Sequence, residues 1–485
     1  LLLGSRLTDA LGERAVDTRS VHVGPVRPPG DPIEGAAWIE LGLEFLDDDD
    51  PDADDIASVV ERVASDPSFS AALVGQTFGE SVPVTLTHLT NAGVDVDIAP
   101  QDGTLFFDLR LAELSMGFTA SPLGIDVVGS TTCTEARVDI DIEVDSAPEG
   151  VVVHVTAVDV RMIDFAWTTD VLTPGIENAL APTIRGVVEQ SLEDAVAEQI
   201  PTLVGGLLEG FAFEFAIGET TSIGVALDIG DIASHPTGLV LRMDAAVSAP
   251  DGMPLPEGAG SLRTDSTPPP FPTDNWQPIT LALDDDFVNQ LLFATWHAGA
   301  LSGLSLSGTE LVLLTGEDLP PPLGPVEGVT VDLRLPPVLT PTRDLGGDGI
   351  YTADLSIGGL VLDITRSDGT HVETSLGVRA GVDLSVANGG IDFDLDNRPA
   401  AMIVQAGVTQ FPEGLDPGNI ASLFRLSAPG LVGGALDFLP PLPTPGLDLG
   451  ALTELDSLQG VTWEVSQADV AVRDDGWLVI TGRME

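Results

Sequence analysis

A strict alternation of apolar and acidic residues constrains this chain more than any other feature of its sequence. Residues 138–145 read Val-Asp-Ile-Asp-Ile-Glu-Val-Asp, and residues 94–98 and 391–396 repeat the pattern. Successive side chains of a β-strand point to opposite faces, so a period of two places the carboxylates on one face and the apolar residues on the other. The pattern predicts half-buried antiparallel strands with an acidic, solvated face. It argues against interpreting these carboxylates as a catalytic acid/base pair.

The charge of the chain excludes several classes of function. Asp and Glu number 76, and all 19 basic residues are Arg, which gives a net charge of −57. Without Lys there is no Schiff-base Lys, no P-loop Lys and no Ser–Lys nucleophile pair. Nucleic acid and anionic membranes are not expected as partners, because polyanions bind to basic patches. The chain is nevertheless 43% hydrophobic, so it can bury large cores, which disordered acidic chains cannot.

The sequence contains no recognisable catalytic or transition-metal motif. It has no Gly-x-Ser-x-Gly elbow and one Cys, and its six His residues lie far apart along the chain. Nucleophile elbows, multi-Cys sites and closely spaced His pairs are therefore all missing. We expect no enzymatic activity, no cofactor and no catalytic residue.

An acidic run, Asp47–Asp55, precedes a segment with helical apolar spacing at 56–63. Carboxylates at a helix N-terminus complement the helix dipole, so a solvated helix cap is one interpretation. Clustered carboxylates also suit calcium, although the run lacks the glycine and the ligand spacing of an EF-hand loop. The sequence leaves both interpretations open. A second candidate calcium loop, residues 344–349, is better explained as a hairpin turn.

A long helix is predicted from Pro174 to Ile200. Thr173 is a suitable N-cap, and proline is favoured in a first turn. Pro182 should kink the helix, and Pro201 should end it. Because it stands between stretches of strand, such a helix has to lie on or inside a sheet. Its apolar stripe comprises Ile176, Leu180, Ile184, Val187, Val188, Leu192, Val196 and Ile200.

A proline-rich segment, residues 250–278, divides the chain. It contains eight prolines and is typical of a stiff, extended linker. We predict one domain over residues 31–249 and another over 279–485, and both begin with a strand followed by a helix. Residues 1–30 resemble the end of an immunoglobulin-like bacterial surface module with a short linker.

Three stretches, in this order, resemble the family of bactericidal/permeability-increasing protein, lipopolysaccharide-binding protein and cholesteryl ester transfer protein. The first is the long helix with its Ile200–Leu203 end. The second is the proline linker, followed by strand 279–283 and Asp286–Asn289. The third is the proline-rich stretch Leu439–Pro445. Together they span residues 36–485 and make the chain similar to a bacterial member of this tubular lipid-binding superfamily.

The resemblance implies an α+β fold in which two tubular barrels of twisted antiparallel sheet are joined by a central sheet, in the shape of a boomerang. Each barrel would wrap around a long helix and hold lipid in an apolar pocket. An ordinary packing role in the core is the alternative for every residue that could line these pockets. The candidate lining residues are Ile176, Leu180, Ile184, Val187, Val188, Phe287, Leu291, Leu292, Leu423, Phe424, Leu436 and Phe438.

Two departures from the family bear on the ligand. Family members that bind lipopolysaccharide carry a conserved disulfide and a basic barrel tip, whereas Cys133 is the single cysteine and Lys is absent. A neutral or zwitterionic lipid therefore fits better than lipopolysaccharide, with at most transient contact with a membrane.

The alternative function is an extracellular or cell-surface interaction module without a ligand tunnel. Both predict a secreted, periplasmic or cell-surface bacterial protein; no signal peptide is visible, and we expect the chain to start mid-protein.

Overall fold

The computed structural model of the chain consists mostly of antiparallel β-sheet, and one sheet curls into a half-barrel. This architecture agrees with the expected α+β class. The structure describes residues 2–8, 14–20, 26–50, 55–67, 70–71, 74–78, 83–120, 127–147, 150–169, 174–208, 212–217, 221–255, 258–264, 278–299, 302–307, 326–340, 352–387, 390–395, 402–411, 416–419, 421–422, 425, 442–443, 446–448, 458–459, 462–472 and 476–484.

Seventeen of the described strands precede the second predicted domain. They are β1 (Leu2–Thr8), β2 (Arg14–Ser20), β3 (Val26–Arg27), β4 (Ile33–Gly42), β5 (Thr77–Phe78), β6 (Val84–Thr90), β7 (Gly93–Gln101), β8 (Thr104–Ala112), β9 (Ser115–Ala120), β10 (Val127–Thr132), β11 (Glu135–Ala147), β12 (Gly150–Ile163), β13 (Ala166–Thr169), β14 (Ala212–Ile217), β15 (Thr221–His235), β16 (Gly238–Ser248) and β17 (Ser261–Leu262).

The described strands of the second predicted domain follow. They are β18 (Ile279–Asp284), β19 (Ser302–Ser307), β20 (Val326–Leu333), β21 (Val338–Thr340), β22 (Ala353–Arg366), β23 (His371–Ala387), β24 (Gly390–Leu395), β25 (Met402–Gln410), β26 (Leu442–Pro443), β27 (Gly446–Asp448), β28 (Thr462–Val472) and β29 (Trp477–Met484).

The helices described are α1 (Leu43–Leu46), α2 (Ile56–Ser65), α3 (Pro174–Leu208) and α4 (Asp285–His297). Helix α2 begins where the acidic run ends, because the Asp55 carboxylate accepts a hydrogen bond from the Ser58 N–H at 2.6 Å. The expected helix cap is thus confirmed at Asp55. It is buried rather than solvated, since only 1% of Asp55 is exposed.

One eight-stranded sheet connects the two predicted domains. Its strand order is β14-β15-β16-β4-β18-β29-β28-β27. Strand β4 from the first half lies between β16 and β18, and Trp38 is opposite both Arg242 and Ala282. Because hydrogen bonding is continuous through β4, this sheet belongs to both halves. Strands from both sides of the predicted division at residues 249 and 279 thus share one sheet, and the division itself stays a prediction.

Each half adds its own sheets. The first half has a four-stranded sheet, β12-β11-β8-β7, and a five-stranded one, β13-β10-β9-β6-β5. The second has the sheet β19-β20-β22-β23-β24-β26, with β21 paired to β22 and β25 paired to β23. Every pairing is antiparallel, as the alternating patterns predict, and Val138–Asp145 lies within β11 with its apolar residues buried.

Helix α3 lies along β12, the edge strand of the four-stranded sheet. Arg185 donates to the carbonyl of Met162 at 3.2 Å, and Gly205 lies beside Val153. From Arg185 to Gly205 the helix rises about 30 Å. From Met162 to Val153 the strand covers about the same distance. Helix and strand therefore run antiparallel and side by side.

The expectation that Pro201 ends α3 is wrong, because the helix continues to Leu208. A proline removes one backbone hydrogen bond, but Val204 and Leu208 continue the apolar stripe and are buried. Every fourth residue from Ile176 to Leu208 is apolar, and those from Ile184 onward are buried. A repeat of four advances about 40° per step around a helix. The stripe therefore winds around α3, which suits a curled sheet rather than a flat one.

Candidate functional site

Apolar rows line the inward face of the four-stranded sheet in the first half. The pairing register aligns each row across β7, β8, β11 and β12. One row is Val96, Leu109, Val138 and Val160, and the next is Ile98, Phe107, Ile140 and Val158. All are buried except Val158, which is half-buried. The result is a continuous aliphatic wall.

Strand β15 and helix α3 provide the remaining apolar surface of this interior. Ile223, Val225 and Leu227 of β15 are buried and belong to the same hydrophobic core, and β15 contacts β7, β8, β11 and β12. Ser191 of α3 is buried, but its hydroxyl is satisfied by the Val187 carbonyl at 2.7 Å. Among the described residues of these elements, no inward-facing buried side chain is charged.

The inward-facing residues of β12 become more buried from the start of the strand to its end. Val160 and Met162 are buried, whereas the inward-facing valines nearer the start of the strand are half-buried. A β-bulge between the partners of Asp141 and Ile142 keeps these valines on the inner face. The least enclosed part of the interior therefore lies where the end of α3 crosses the start of β12.

Three of the lining residues predicted in the first half can be placed. Ile184 and Val188 are buried, and Val187 is half-buried against the same core. Ile176 and Leu180 lie on α3, but their side chains are outside the described part of the structure. The stripe that was predicted as pocket lining thus faces the aliphatic interior, and whether it contacts a ligand stays a prediction.

In the second half, the three predicted residues that can be placed lie on α4. Phe287, Leu291 and Leu292 are each no more than 4% exposed. Helix α4 contacts β4, β16, β17, β18 and β21, so it lies where the two halves meet. The other predicted lining residues, Leu423, Phe424, Leu436 and Phe438, lie outside the described residues.

Buried polar side chains hold α4 in place. Asn289 donates to the carbonyl of Leu339 at 3.0 Å and accepts from its N–H at 2.8 Å. Gln290 donates to the carbonyl of Asp31 at 3.0 Å, and the Trp296 indole donates to Leu333 at 2.6 Å. These contacts were not predicted, because polar residues within an apolar stretch carry no sequence signal for burial.

The outward face of the four-stranded sheet carries two charged rows. Asp97, Asp108, Asp139 and Asp159 lie directly opposite one another across the four strands. The neighbouring row consists of Asp95, Arg110, Arg137 and Arg161. Like charges directly opposite one another on a sheet are destabilising, so the arginine row compensates for the aspartate row.

Ion pairs connect these rows. Arg110 contacts Asp95 and Asp108, both at 2.8 Å, and also Asp97. Arg137 donates to the nearly buried Asp108 at 2.8 Å. The adjacent carboxylates, Asp108 first, raise the pKa of Arg110. The expected acidic outer face is therefore confirmed in its alternation, but arginines partly neutralise it.

An acidic cavity of about 180 Å³ lies beside the edge strand β7. The Asp47 carboxylate accepts from the Ile98 N–H at 3.0 Å, and Glu61 accepts from the Val96 N–H at 2.9 Å. These carboxylates occupy backbone donors that an edge strand would otherwise expose. The acidic side chains that line the cavity are Asp47, Asp49, Asp50, Glu61, Asp95 and Asp97.

The electrostatics of this cavity are unfavourable for ionised carboxylates. Burial is the main cause that raises the pKa of Asp47 and Glu61, and it raises the pKa of the adjacent Asp55 to about 7. Oxygens of Asp47, Asp49 and Asp97 lie within 4.8 Å of one another. Such oxygens are the ligands that calcium prefers. Both oxygens of Asp47 already accept backbone hydrogen bonds, one from the Asp49 N–H and the other from the Ile98 N–H of β7. Calcium binding stays a prediction.

None of the described helices is both long enough and apolar enough to cross a membrane. Helix α3 has the length, but acidic residues interrupt it, as the sequence shows.

Two solved structures are similar to the chain over most of its length. The first is titled "Crystal structure of lipopolysaccharide binding protein"; it is 10% identical, and the match covers 93% of this chain and 99% of that chain with a TM-score of 0.45. The second, "Structure of P47 from Clostridium botulinum A2", is 9% identical, with coverage of 93% and 97% and a TM-score of 0.27. No family model and no curated protein matches the chain. Both TM-scores lie below 0.5, so these likenesses assign no ligand to the chain.

Proposed function

We propose that the chain is a lipid-binding or lipid-transfer protein that holds acyl chains in an apolar interior. The observation that carries the proposal is the continuous aliphatic lining of the first half, where rows across β7, β8, β11 and β12 face β15 and α3. Moving an acyl chain out of water contributes about 0.8 kcal/mol per CH₂. Ten methylene groups therefore gain about 8 kcal/mol, provided that no buried charge opposes them.

The charge of the protein limits which classes of lipid we propose as its ligand. A net charge of −57 repels anionic headgroups, and the outer rim of β12 adds Asp159 and nearby Glu193. Burial, followed by the carboxylates of Asp194, Asp159 and Glu189, raises the pKa of Glu193. A neutral or zwitterionic lipid is therefore proposed rather than lipopolysaccharide. Contact with a membrane would be transient.

The finer architecture is part of the same proposal. Two tubular barrels, over residues 31–249 and 279–485, would each enclose a lipid and share a central sheet through β4 and β18. We propose a non-catalytic protein, because His88, His154 and His371 lie on separate strands. A secreted, periplasmic or cell-surface location in a bacterium fits this role.

The proposal is tested by native mass spectrometry of the purified full chain, together with uptake of a fluorescent fatty acid. We expect co-purifying lipid, saturable uptake, and displacement of the probe by phosphatidylcholine more than by lipopolysaccharide. A protein that carries no lipid and takes up no probe would contradict the proposal and favour the interaction-module alternative.

Two neighbouring valines of β12 give a matched test of the site. Val153 faces Val144 on the inner side, whereas Val152 faces Asp145 on the outer side, and both are half-buried. Val153→Trp should fill the interior and reduce probe uptake at least about tenfold, which corresponds to about 1.4 kcal/mol. Val152→Trp should leave uptake unchanged. Equal uptake by the two variants would place the ligand elsewhere.

A further inference from the structure

Among the described residues, the start of strand β12 meets the end of helix α3 through apolar contact alone. A Cβ atom on Gly205 would lie 3.7 Å from Val153 Cγ2, so strand and helix touch there and the seam between them is closed. Within the described part of the chain, no hydrogen bond or ion pair joins residues 151–155 to residues 196–208. The Thr202 hydroxyl donates to the Glu198 carbonyl of its own helix. We call residues 151–155 the gate strand.

Hydrogen bonds hold other boundaries of this interior. Farther along the same seam, Arg185 of α3 donates to the Met162 carbonyl of β12 at 3.2 Å. At the opposite edge of the sheet, two carboxylates of the acidic cavity accept from N–H groups of β7. At the turn between β7 and β8, the Gly103 N–H donates to the Ser234 carbonyl at 3.1 Å, and the Ser234 hydroxyl donates to Thr104 at 2.9 Å. Opening the seam at the gate strand breaks no such bond.

The strand, rather than the helix, is the side of the seam that can move. Val204, Leu207 and Leu208 of α3 are no more than 4% exposed, so displacing the helix would uncover buried apolar surface. The inward-facing valines of the gate strand are already half-buried, so displacing the strand uncovers less. The gate strand also lies at the edge of its sheet, with β11 as its neighbour.

A β-bulge separates the gate strand from the firmly packed part of β12. Thr156 has no cross-strand partner in the register, because Asp141 is opposite Ala157 and Ile142 is opposite Val155. The Thr156 hydroxyl donates to the Asp141 carbonyl at 3.1 Å, which holds the bulge itself in place. A bulge interrupts the ladder and bends the strand that contains it. The gate strand can therefore turn at this point without displacing the rest of β12.

We propose that the gate strand swings away from the end of α3 and admits an acyl chain sideways into the interior. This inference rests on the proposed function and adds the route by which the lipid enters. The gate strand stays paired with β11 and turns at the bulge, while α3 keeps its place. The acyl chain passes between Val153 and Gly205, and the seam closes behind it. Such a gate controls how fast a ligand enters and leaves.

A reversible cross-link across the seam tests the proposal. Val153→Cys and Gly205→Cys, in a Cys133→Ala background, place two thiols within reach of a disulfide. In the oxidised full chain, we expect uptake of the fluorescent fatty acid to be at least about tenfold slower than in the same variant after reduction. Protein that is loaded with the probe before oxidation should retain it, which a merely filled interior would not do.

The control is a cross-link that does not span the seam. Asp145→Cys with Val152→Cys joins directly opposite residues of β11 and β12 on the outer face, so it ties the gate strand to β11 but not to α3. Its oxidation should leave uptake unchanged. Equal uptake rates in the oxidised and reduced seam variant would overturn the gate and leave the proposed function standing. A wild-type protein that takes up no probe would contradict the proposed function, and the gate with it.

Hydrogen exchange of the unmodified full chain tests the motion without any variant. Segments that open locally exchange their amide hydrogens faster than segments that stay packed. We expect the amides of residues 151–155 to exchange faster than those of residues 158–162 in the same strand and those of residues 202–208 in α3. Equal protection of the three segments, or faster exchange in the helix than in the gate strand, would overturn the proposal.

Discussion

Helices α3 and α4 are both surrounded by strands, but they are held in opposite ways. Helix α3 packs through an aliphatic stripe and leaves Glu189 and Gln190 on its open side, in hydrogen bonds to its own residues. Helix α4 is buried from Asp285 to Thr295 and is fixed by buried Asp, Asn and Gln side chains. Apolar contacts are non-directional, whereas buried hydrogen bonds specify one arrangement. Under the proposed function, a ligand chain would replace part of the packing of α3, while α4 has to keep its place.

The largest predicted difference between the helices concerns their amide side chains. Asn289→Ala on α4 leaves the N–H and the carbonyl of Leu339 buried without their partner. We expect the free energy of unfolding, measured in urea, to fall by about 3 kcal/mol. The matched change on α3, Gln190→Ala, removes an exposed hydrogen bond to Asp194 and should cost less than about 0.5 kcal/mol. Similar losses in both variants would mean that buried hydrogen bonds hold α4 no more firmly than exposed ones hold α3.

A smaller effect is expected where Gly252 approaches the C-terminal end of α4. Gly252→Ala would put a methyl group within 2.6 Å of the His297 ring, which the contact with Met253 holds in place. We expect a destabilisation of about 2 kcal/mol, since overpacking forces the neighbouring groups apart. Thermal unfolding of the full chain measures it. An unchanged melting temperature would mean that the backbone at Gly252 can shift without cost.

The smallest predicted effect is a stabilisation, and it concerns a glycine on α3. A Cβ atom on Gly186 would meet no atom within 4 Å, so alanine fits without displacing anything. Gly186→Ala should raise the free energy of unfolding by about 0.7 kcal/mol, because glycine loses more backbone entropy in a helix. A lower free energy of unfolding in this variant would show that α3 depends on the space beside Gly186.

The sequence was most informative where a period is repeated over many residues. The alternation at 138–145 predicted β11 and its faces, and the spacing after Pro174 predicted the start of α3. It was least informative where polar residues are buried: nothing in Asp284, Asn289 or Gln290 distinguishes them from surface residues. Register is also invisible in one sequence, so the alignment of Asp108 with Asp97 and Asp139 needed the strand pairing.

Proline at 201 shows why local rules fail within a packed helix. The missing N–H affects one backbone hydrogen bond, while the buried side chains of Val204, Leu207 and Leu208 hold the following turns against the core. The candidate site could be predicted only in part. The apolar stripe of α3 is a repeated sequence feature, but the strands that surround it are distant in the sequence. The sequence also did not predict that Phe287, Leu291 and Leu292 lie on a helix where the two halves meet.

The four-residue repeat of α3 also restricts how the length of this protein can change. Inserting one residue would turn every later side chain by about 100° and move the buried stripe away from the sheet. Inserting four residues turns it by only about 40° and lengthens the helix by about 6 Å. Two additional residues lengthen a strand by about the same distance and preserve which side chains face inward. The first half can therefore grow or shorten only in matched steps, four residues in α3 for every two in β12 and its neighbours.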